Sequence, residues 1–158
     1  GMDKVTAVVT GGSTRQASVF AGVGACSPKS SYYAIHDGAR PLVSRQLITQ
    51  TVAAARQHGA AAPGVAMKET VKILDSRGFV KTTPQRGALR VIQTPQVFCR
   101  EVYRQAMRAA AGQDYTDDCQ LAEHAGFPVF VTEGEYTNIK ITTREDIQLC
   151  EVILKQQL

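Results

Sequence analysis

The hydrophobic positions of the chain form two alternating patterns. Short apolar runs bounded by polar or turn-forming residues are typical of buried strands. Between these runs, apolar residues recur at every third or fourth position, which predicts amphipathic helices. In the first half of the chain, this alternation predicts strands over residues 5–9, 32–36 and 61–67, and helices over residues 15–23 and 45–58. Ser44 is a good N-cap for the second of these helices, and Gly59 is expected to end it.

The second half of the chain continues the same alternation. It predicts strands over residues 91–94, 127–132 and 138–142, and helices over residues 100–111, from Thr116 to Gly126 and after Thr143, with Ile147, Val152 and Ile153 facing inward. Strands that alternate with helices form mainly parallel sheets covered by helices. The sequence therefore predicts a single α/β domain over residues 2–158.

A polar hairpin interrupts this rhythm. Residues 71–74 and 79–82 read as two short strands joined by a turn that ends at Gly78. An insertion of this kind often packs on a partner subunit. We expect residues 68–90 to form a β-arm that takes part in dimerisation.

Composition excludes several classes of protein. The 158 residues are 44% hydrophobic and 20% charged, which fits one globular core, and no apolar run is long enough to span a bilayer. The net charge is +4, but basic residues are dispersed and only 6% of residues are aromatic, so we expect small phosphate ligands and no nucleic acid. Four scattered cysteines indicate reduced thiols in a cytoplasmic protein.

The residues that follow the predicted strands are rich in chemistry. In open α/β sheets, ligands bind at the carboxyl ends of strands. The positions concerned are residues 11–15, 37–41, 68–70 and 94–96, and Lys140. They supply hydroxyls, cations, an acid and flexible backbone, which together suit a nucleotide, a metal ion and a phosphate.

Several candidate residues have both a functional and a structural interpretation. Gly12 allows close approach to a base or ribose, and Ser18 can hydrogen-bond a pyrimidine edge, but a Gly pair also makes a plain turn. Asp37 suits Mg²⁺ or a ribose hydroxyl, and equally an Asx turn, although the nearby Arg40 favours a phosphate site. Lys140 can stabilise charge on a phosphoryl group or lie solvated at a strand edge.

Six segments in order resemble motifs of one enzyme family. They are GGSTRQASV at 11–19, HDGARP at 36–41, VAMKETVK at 65–72, QTPQVF at 93–98, TDD at 116–118 and GEYTNIKIT at 134–142. Together they resemble the cytidylyltransferases that activate 2-C-methyl-D-erythritol 4-phosphate. Ala17 and Gly38 depart from the usual acidic residue and alanine of that family.

The resemblance implies a Rossmann-like nucleotidyltransferase fold and transfer of CMP from CTP to methylerythritol phosphate, with release of pyrophosphate and formation of CDP-methylerythritol for isoprenoid synthesis. It implies Mg²⁺, or another divalent cation, on Asp37, and catalytic roles for Asp37 and Lys140. Nucleotide binding falls to Gly12, Ser13, Ser18 and Asp37. Substrate binding falls to Arg40, Thr70, Arg86, Thr94, Thr116 and Lys140, with Thr70 and Arg86 reaching a neighbouring subunit of a homodimer from the arm.

Family members begin with a strand and a Gly-rich loop that cradles the triphosphate, and we find no such segment here. We therefore expect an N-terminally truncated member, with a sheet that lacks its first strand and with impaired activity. Two other interpretations remain open. One is the related ribitol-5-phosphate cytidylyltransferase, and the other is a non-catalytic nucleotide-binding or interaction remnant.

Overall fold

The computed structural model describes residues 3–110 and 112–157. The described helices are α1 (Arg15–Ala25), α2 (Arg45–His58), α3 (Arg100–Ala109), α4 (Asp118–His124) and α5 (Arg144–Gln157). The strands are β1 (Tyr32–Ile35), β2 (Ala60–Ala66), β3 (Ile73–Leu74), β4 (Val80–Thr82), β5 (Arg90–Ile92), β6 (Gln96–Cys99) and β7 (Phe130–Glu133). A 3₁₀ turn covers Arg86–Ala88.

Five strands form one mixed sheet around β2. Strand β6 lies between β1 and β2 and is antiparallel to both, whereas β7 is parallel to β2 on the other edge. Strands β1, β2 and β7 consequently run in one direction, and β5 and β6 run against them. The α/β class is confirmed, but the expected mainly parallel pairing is corrected, because an antiparallel strand separates β1 from β2.

Strands β5 and β6 follow the same edge of β2, and the chain bulges between them. Ala61 faces Val97 and Gly64 faces Ile92, so three steps along β2 correspond to five along its neighbour. The extra residues fall in the segment 93–95, which leaves the ladder at this point. The predicted strand over residues 91–94 is therefore confirmed only at Val91 and Ile92, which belong to β5. Strand β6 was not predicted, because its apolar run joins directly to α3.

Side chains alternate between the two faces of the sheet, as the strand period requires. Phe98 packs with Tyr103 and Leu121 beneath α3 and α4. Val97 packs with Ala55 of α2 on the opposite face. Two helical layers therefore cover the sheet and fix the strand ends from which the site is built.

Two predicted strands are absent from the described residues. Residues 5–9 have no strand partner and are exposed, with Val8 92% accessible. Residues 138–142 form a loop, because their backbone bonds go to another loop: the Ile141 N–H donates to the Ala39 carbonyl at 2.8 Å. The backbone needs a neighbouring strand to form a ladder, and neither segment has one.

The predicted caps are partly corrected. Ser44 caps α2 through the Leu47 N–H, and Gly59 ends that helix at φ 87°, both as predicted. Helix α4 is capped by Asp117 in place of Thr116. In α5, Ile147 and Val152 are about half exposed, whereas Cys150 is buried.

Three sequence expectations concern residues outside the described part of the chain. The predicted end of a helix at residue 111 and the outer limits of the domain at Met2 and Leu158 lie there. Among the described residues, no helix is long and apolar enough to cross a membrane.

The hairpin is confirmed as β3 and β4, and it stands apart from the main sheet. Asp75 closes its turn by accepting hydrogen bonds from the N–H groups of Arg77 and Phe79 at 2.9 and 3.0 Å. The arm exposes several large apolar side chains to solvent. They are Ile73, Leu74, Phe79 and Val80.

Candidate functional site

One cleft of about 160 Å³ collects side chains from five separate segments of the chain. It opens at the edge of the sheet where β1 ends and β6 begins. Its lining contains three cations, two carboxylates, hydroxyls and an amide. The lining residues are Arg15, Asp37, Arg40, Ile92, Thr94, Gln96, Thr116, Asp117 and Lys140.

Asp37 is the centre of the charges in this cleft. Its Oδ2 lies 3.2 Å from Lys140 Nζ and 3.5 Å from Arg40 Nε. Partial burial opposes ionisation of Asp37, but the hydrogen bond and charge of Lys140, with the charges of Arg15 and Arg40, outweigh it and lower the carboxyl pKa. Asp37 is therefore a carboxylate at neutral pH, held between two cations.

Thr94 and His36 fix the backbone that presents Asp37. The Asp37 N–H donates to Thr94 Oγ1 at 3.0 Å, and Thr94 Oγ1 lies 2.9 Å from His36 Nδ1. His36 Nε2 lies 3.1 Å from the Arg40 carbonyl, which can only accept. With a proton on Nε2, the His36 ring donates to the Arg40 carbonyl, and the Thr94 hydroxyl can donate to Nδ1.

Gln93 ties the bulge between β5 and β6 to the loop that carries Lys140. Its side-chain amide donates to the Glu135 carbonyl at 2.8 Å, and its carbonyl accepts from the Glu135 N–H at 3.2 Å. Buried Asn138 donates to the Thr94 carbonyl at 2.9 Å. These contacts place Lys140 opposite Asp37, although the predicted strand around Lys140 does not form.

Gln96 performs the same task for the start of α4. Its Nε2 donates to Asp117 Oδ2 at 2.9 Å, and its Oε1 accepts the N–H groups of Asp118 and Cys119 at 3.0 and 3.1 Å. The first N–H groups of a helix need such acceptors. Through this brace Thr116 and Asp117 reach the cleft.

Gly12, Ser13 and Ser18 do not line the cleft, although Arg15 of the same segment does. Ser18 Oγ accepts the Gly12 N–H at 3.0 Å and lies 2.9 Å from the Thr14 carbonyl. A Cβ on Gly12 would come within 2.4 Å of the Ala17 Cβ, so glycine permits this tight turn. The predicted nucleotide-binding role of the segment stays a prediction.

The two arm residues predicted to bind substrate lie away from this cleft in the same chain. Arg86 is exposed and donates to the Lys68 carbonyl at 3.1 Å. Thr70 is exposed in the loop before β3. Neither lines the cleft, so their predicted role in a neighbouring subunit stays a prediction. Of the predicted substrate-binding and catalytic residues, the structure brings together Asp37, Arg40, Thr94, Thr116 and Lys140.

Four residues that line the cleft were given no role from the sequence, namely apolar Ile92 and three polar residues. Arg15, Gln96 and Asp117 all fall inside quoted motifs, yet roles were assigned only to residues whose chemistry was evident alone. The signal that could have found Gln96 was its spacing from Gln93, which places the two amides on either side of the bulge. Arg15 could have been found as the one cation directly after the first predicted turn.

The fold is that of an α/β protein of the nucleotidyltransferase type, and its cleft is lined by three cations, two carboxylates and two hydroxyls. The profile of one family, IspD: 2-C-methyl-D-erythritol 4-phosphate cytidylyltransferase, matches residues 2–156. The chain belongs to this family.

Relatives agree with this membership. A 2-C-methyl-D-erythritol 4-phosphate cytidylyltransferase of Caldanaerobacter subterraneus subsp. tengcongensis is 44% identical, with 94% of this chain and 66% of that protein covered. The protein of the same name from Desulforamulus reducens is 45% identical, with 98% and 67% covered. This chain therefore spans about two thirds of the length of such relatives.

Solved structures agree on the fold. The 4-diphosphocytidyl-2C-methyl-D-erythritol synthase of Anaerococcus prevotii superposes with a TM-score of 0.86 at 40% identity, covering 93% of this chain and 69% of that one. The 2-C-methyl-D-erythritol 4-phosphate cytidylyltransferase of Thermus thermophilus gives a TM-score of 0.83 at 37% identity, covering 93% and 72%.

Proposed function

We propose that this chain provides the cytidine-nucleotide and polyol-phosphate site of a 2-C-methyl-D-erythritol 4-phosphate cytidylyltransferase. In the proposed reaction the 4-phosphate of methylerythritol phosphate attacks the α-phosphorus of CTP. The bond from that phosphorus to the bridging oxygen breaks, pyrophosphate leaves, and CDP-methylerythritol forms. The observation that carries the proposal is the cleft in which Asp37 lies between Arg40 and Lys140.

The geometry suits in-line transfer between phosphates. Little covalent work is required of the protein, so positioning and charge neutralisation dominate. Lys140 and Arg40 supply cationic donors for phosphate oxygens, and Thr94 and Thr116 line the same cleft. Because Gln93 and Gln96 brace the loops, these groups need little reorganisation when a ligand enters.

A divalent cation fits Asp37 only as part of a shared site. Mg²⁺ commonly takes one or two protein carboxylates and completes its shell with substrate phosphates and water. Asp37 Oδ2 contacts Lys140 and Arg40, whereas the described residues make no hydrogen bond to Asp37 Oδ1. We therefore propose Asp37 Oδ1 as the protein ligand of Mg²⁺, with the ligand's phosphates as the other donors; the ion would neutralise phosphate charge.

We further propose a homodimer joined through the arm, in the cytoplasm. Exposed apolar side chains on β3 and β4 support the association. The arm carries Thr70 and Arg86, which would then reach the partner's cleft. The four cysteines are all free thiols, which supports a reducing compartment.

Calorimetric titration of CTP and of methylerythritol phosphate into the purified chain, with Mg²⁺, tests the proposal. Both ligands should bind saturably, and ribitol 5-phosphate should bind more weakly than methylerythritol phosphate. The relatives described above carry the methylerythritol name, which favours that polyol. An Asp37→Asn variant should lose the dependence of CTP binding on Mg²⁺. Absence of saturable binding of both CTP and methylerythritol phosphate would overturn the proposal.

A further inference from the structure

The cleft contains a third cation whose setting differs from those of Lys140 and Arg40. We propose that Arg15 is a further ligand-binding residue, which grips a phosphate group in the cleft while buried Asp118 and Tyr103 hold its guanidinium in position. This inference rests on the proposed function and deepens it. The ligand chemistry is a phosphate oxygen pair, from either the nucleotide or the polyol phosphate.

Arg15 is fixed at one end and open at the other. Its NH2 group lies 2.7 Å from Asp118 Oδ2, and about a third of the side chain, 34%, is exposed. A guanidinium has five N–H donors, and the described residues accept from Arg15 only through Asp118. The remaining donors belong to a side chain that lines the cleft.

The support behind Arg15 is buried and fully engaged. The Asp118 side chain is 2% exposed, and its Oδ1 accepts the hydroxyl of Tyr103, which is completely buried. The Asp118 N–H is held in turn by Gln96. Rotation of the carboxylate away from Arg15 would therefore also break its hydrogen bond with buried Tyr103.

A counter-ion role alone would explain the ion pair but not the position of Arg15. A buried carboxylate does need a cation, because an unpaired buried charge is costly. Asp118, however, holds its cation at the wall of the same cleft that contains Asp37, and the charge of Arg15 contributes to the lowered pKa of Asp37. Lys140 and Arg40 both contact the Asp37 carboxylate, whereas Arg15 pairs with Asp118 and leaves Asp37 to the other two cations.

The choice of arginine fits this double contact. Its planar fork can bind one oxyanion along one edge and present parallel N–H groups to a second along another. A lysine offers a single point charge and cannot do both in fixed geometry. Arg15→Lys should therefore keep the cleft's charge and still bind phosphate more weakly.

Titration of the full chain with inorganic phosphate, CTP and methylerythritol phosphate tests the inference. In the unmodified chain, the Arg15 Nε–H signal in nitrogen-edited NMR should shift on addition of inorganic phosphate. Arg15→Gln should weaken binding of the ligand whose phosphate it holds by roughly tenfold or more, as expected for loss of a charged hydrogen bond. The affinity of Arg15→Lys should lie between those of the unmodified chain and Arg15→Gln. If only CTP or only methylerythritol phosphate binds more weakly, that ligand carries the phosphate that Arg15 holds.

Two further variants separate binding from folding. Arg15→Gln leaves Asp118 buried without its cation, so the double variant Arg15→Gln/Asp118→Asn removes both charges and should melt near the unmodified chain. Arg104→Gln removes an exposed arginine outside the cleft and should leave all three affinities unchanged. Tyr103→Phe should keep Arg15 but loosen Asp118, which weakens phosphate binding by a few fold.

The outcomes are distinguishable. Suppose that the unmodified chain binds its ligands normally and that Arg15→Gln and the double variant bind them equally well. Arg15 is then only the counter-ion of Asp118, and the proposed function still stands. A stationary Arg15 Nε–H signal on ligand addition contradicts the inference in the same way. If the unmodified chain binds neither CTP nor methylerythritol phosphate, the proposed function fails and this inference fails with it.

Discussion

The cleft and the arm reverse the usual placement of side chains in opposite ways. In the cleft, polar side chains such as Gln93, Gln96 and Asn138 are buried and hydrogen-bonded across loops far apart in sequence. On the arm, apolar side chains such as Phe79 and Val80 are exposed, and the bonds are local. The loops around the cleft are thus held together by hydrogen bonds within a single chain, whereas the arm leaves apolar side chains exposed to solvent.

This contrast has an energetic basis. A buried amide must find partners for both its donor and its acceptor, so each glutamine rigidly selects one arrangement of the loops. The arm is a two-stranded ribbon, and such a ribbon has little independent stability. We therefore expect substitutions in the cleft to change ligand binding or folding, and equivalent substitutions on the arm to change association.

The largest effect is expected from removing the cleft cation that contacts Asp37. Lys140→Ala should lower affinity for CTP or methylerythritol phosphate by about 100-fold, or about 3 kcal/mol, because it removes a charged donor to phosphate and leaves Asp37 with one fewer cation. The measurement is calorimetric titration. Lys72→Ala is the matched control on the arm, where the ammonium donates to Thr83 and to no other described residue. Equal losses in the two variants would contradict the proposed site.

The next effect concerns folding. Gln93→Ala removes the amide that is bonded to the backbone of Glu135 and should lower the free energy of unfolding by about 2–3 kcal/mol, because buried partners lose their hydrogen bonds. Urea denaturation followed by circular dichroism measures the change. Gln85→Ala, at an exposed position on the arm, should change it by less than about 0.5 kcal/mol. A loss below about 1 kcal/mol for Gln93→Ala would show that the brace matters little.

A smaller effect is expected at the arm itself. Phe79→Ser should raise the dissociation constant of the proposed dimer by about tenfold, because an apolar side chain leaves the contact, and should hardly alter the unfolding of the monomer. Sedimentation velocity over a concentration series measures the association. Val8→Ser, at an exposed apolar position away from the arm, serves as the control. A dimer that is equally weakened by Val8→Ser would place the contact elsewhere.

The sequence predicted the segments whose structure is decided locally. The caps of α2 and the turn of the hairpin follow from Ser44, Gly59 and Gly78, and they form as expected. It failed where the structure depends on distant partners. Residues 5–9 are apolar yet have no strand to pair with among the described residues. The segment around Lys140 forms a loop because its backbone bonds to the loop that contains Ala39. A short apolar run in the sequence does not indicate whether the fold will place a partner strand beside it.

The site followed the same division. Residue type was enough to mark Asp37, Arg40 and Lys140, because an acid and two cations after strands suit phosphate chemistry. Arg15 could not be given a role, since its importance depends on Asp118, about a hundred residues away in sequence and buried in the core. Gln96 was missed for the same reason, because its partners lie at the start of α4.

The smallest effect is expected in the pH dependence of stability, to which the Asp37 carboxylate in the cleft contributes. The folded-state pKa of Asp37 is depressed, so its stabilisation is present above the unfolded value near pH 4 and is lost as pH falls through the folded pKa. Stability should therefore fall below about pH 4 by no more than about 1 kcal/mol more in the unmodified chain than in Asp37→Asn, given solvent screening. Acid-range urea titrations of both proteins measure this difference, and parallel curves would contradict it.

Salt should separate the two carboxylates, because different interactions lower their pKa values. At Asp37, burial is opposed by the hydrogen bond and charge of Lys140 and by the charges of Arg15 and Arg40, whereas the Asp75 pKa is lowered first by the N–H of Phe79. Salt screens partly exposed charge pairs but leaves short backbone hydrogen bonds in place. In a carbon-13 NMR titration, about 1 M salt should raise the pKa of Asp37 and leave that of Asp75 nearly unchanged. Equal movement of both would mean that the cations around Asp37 do not control its ionisation.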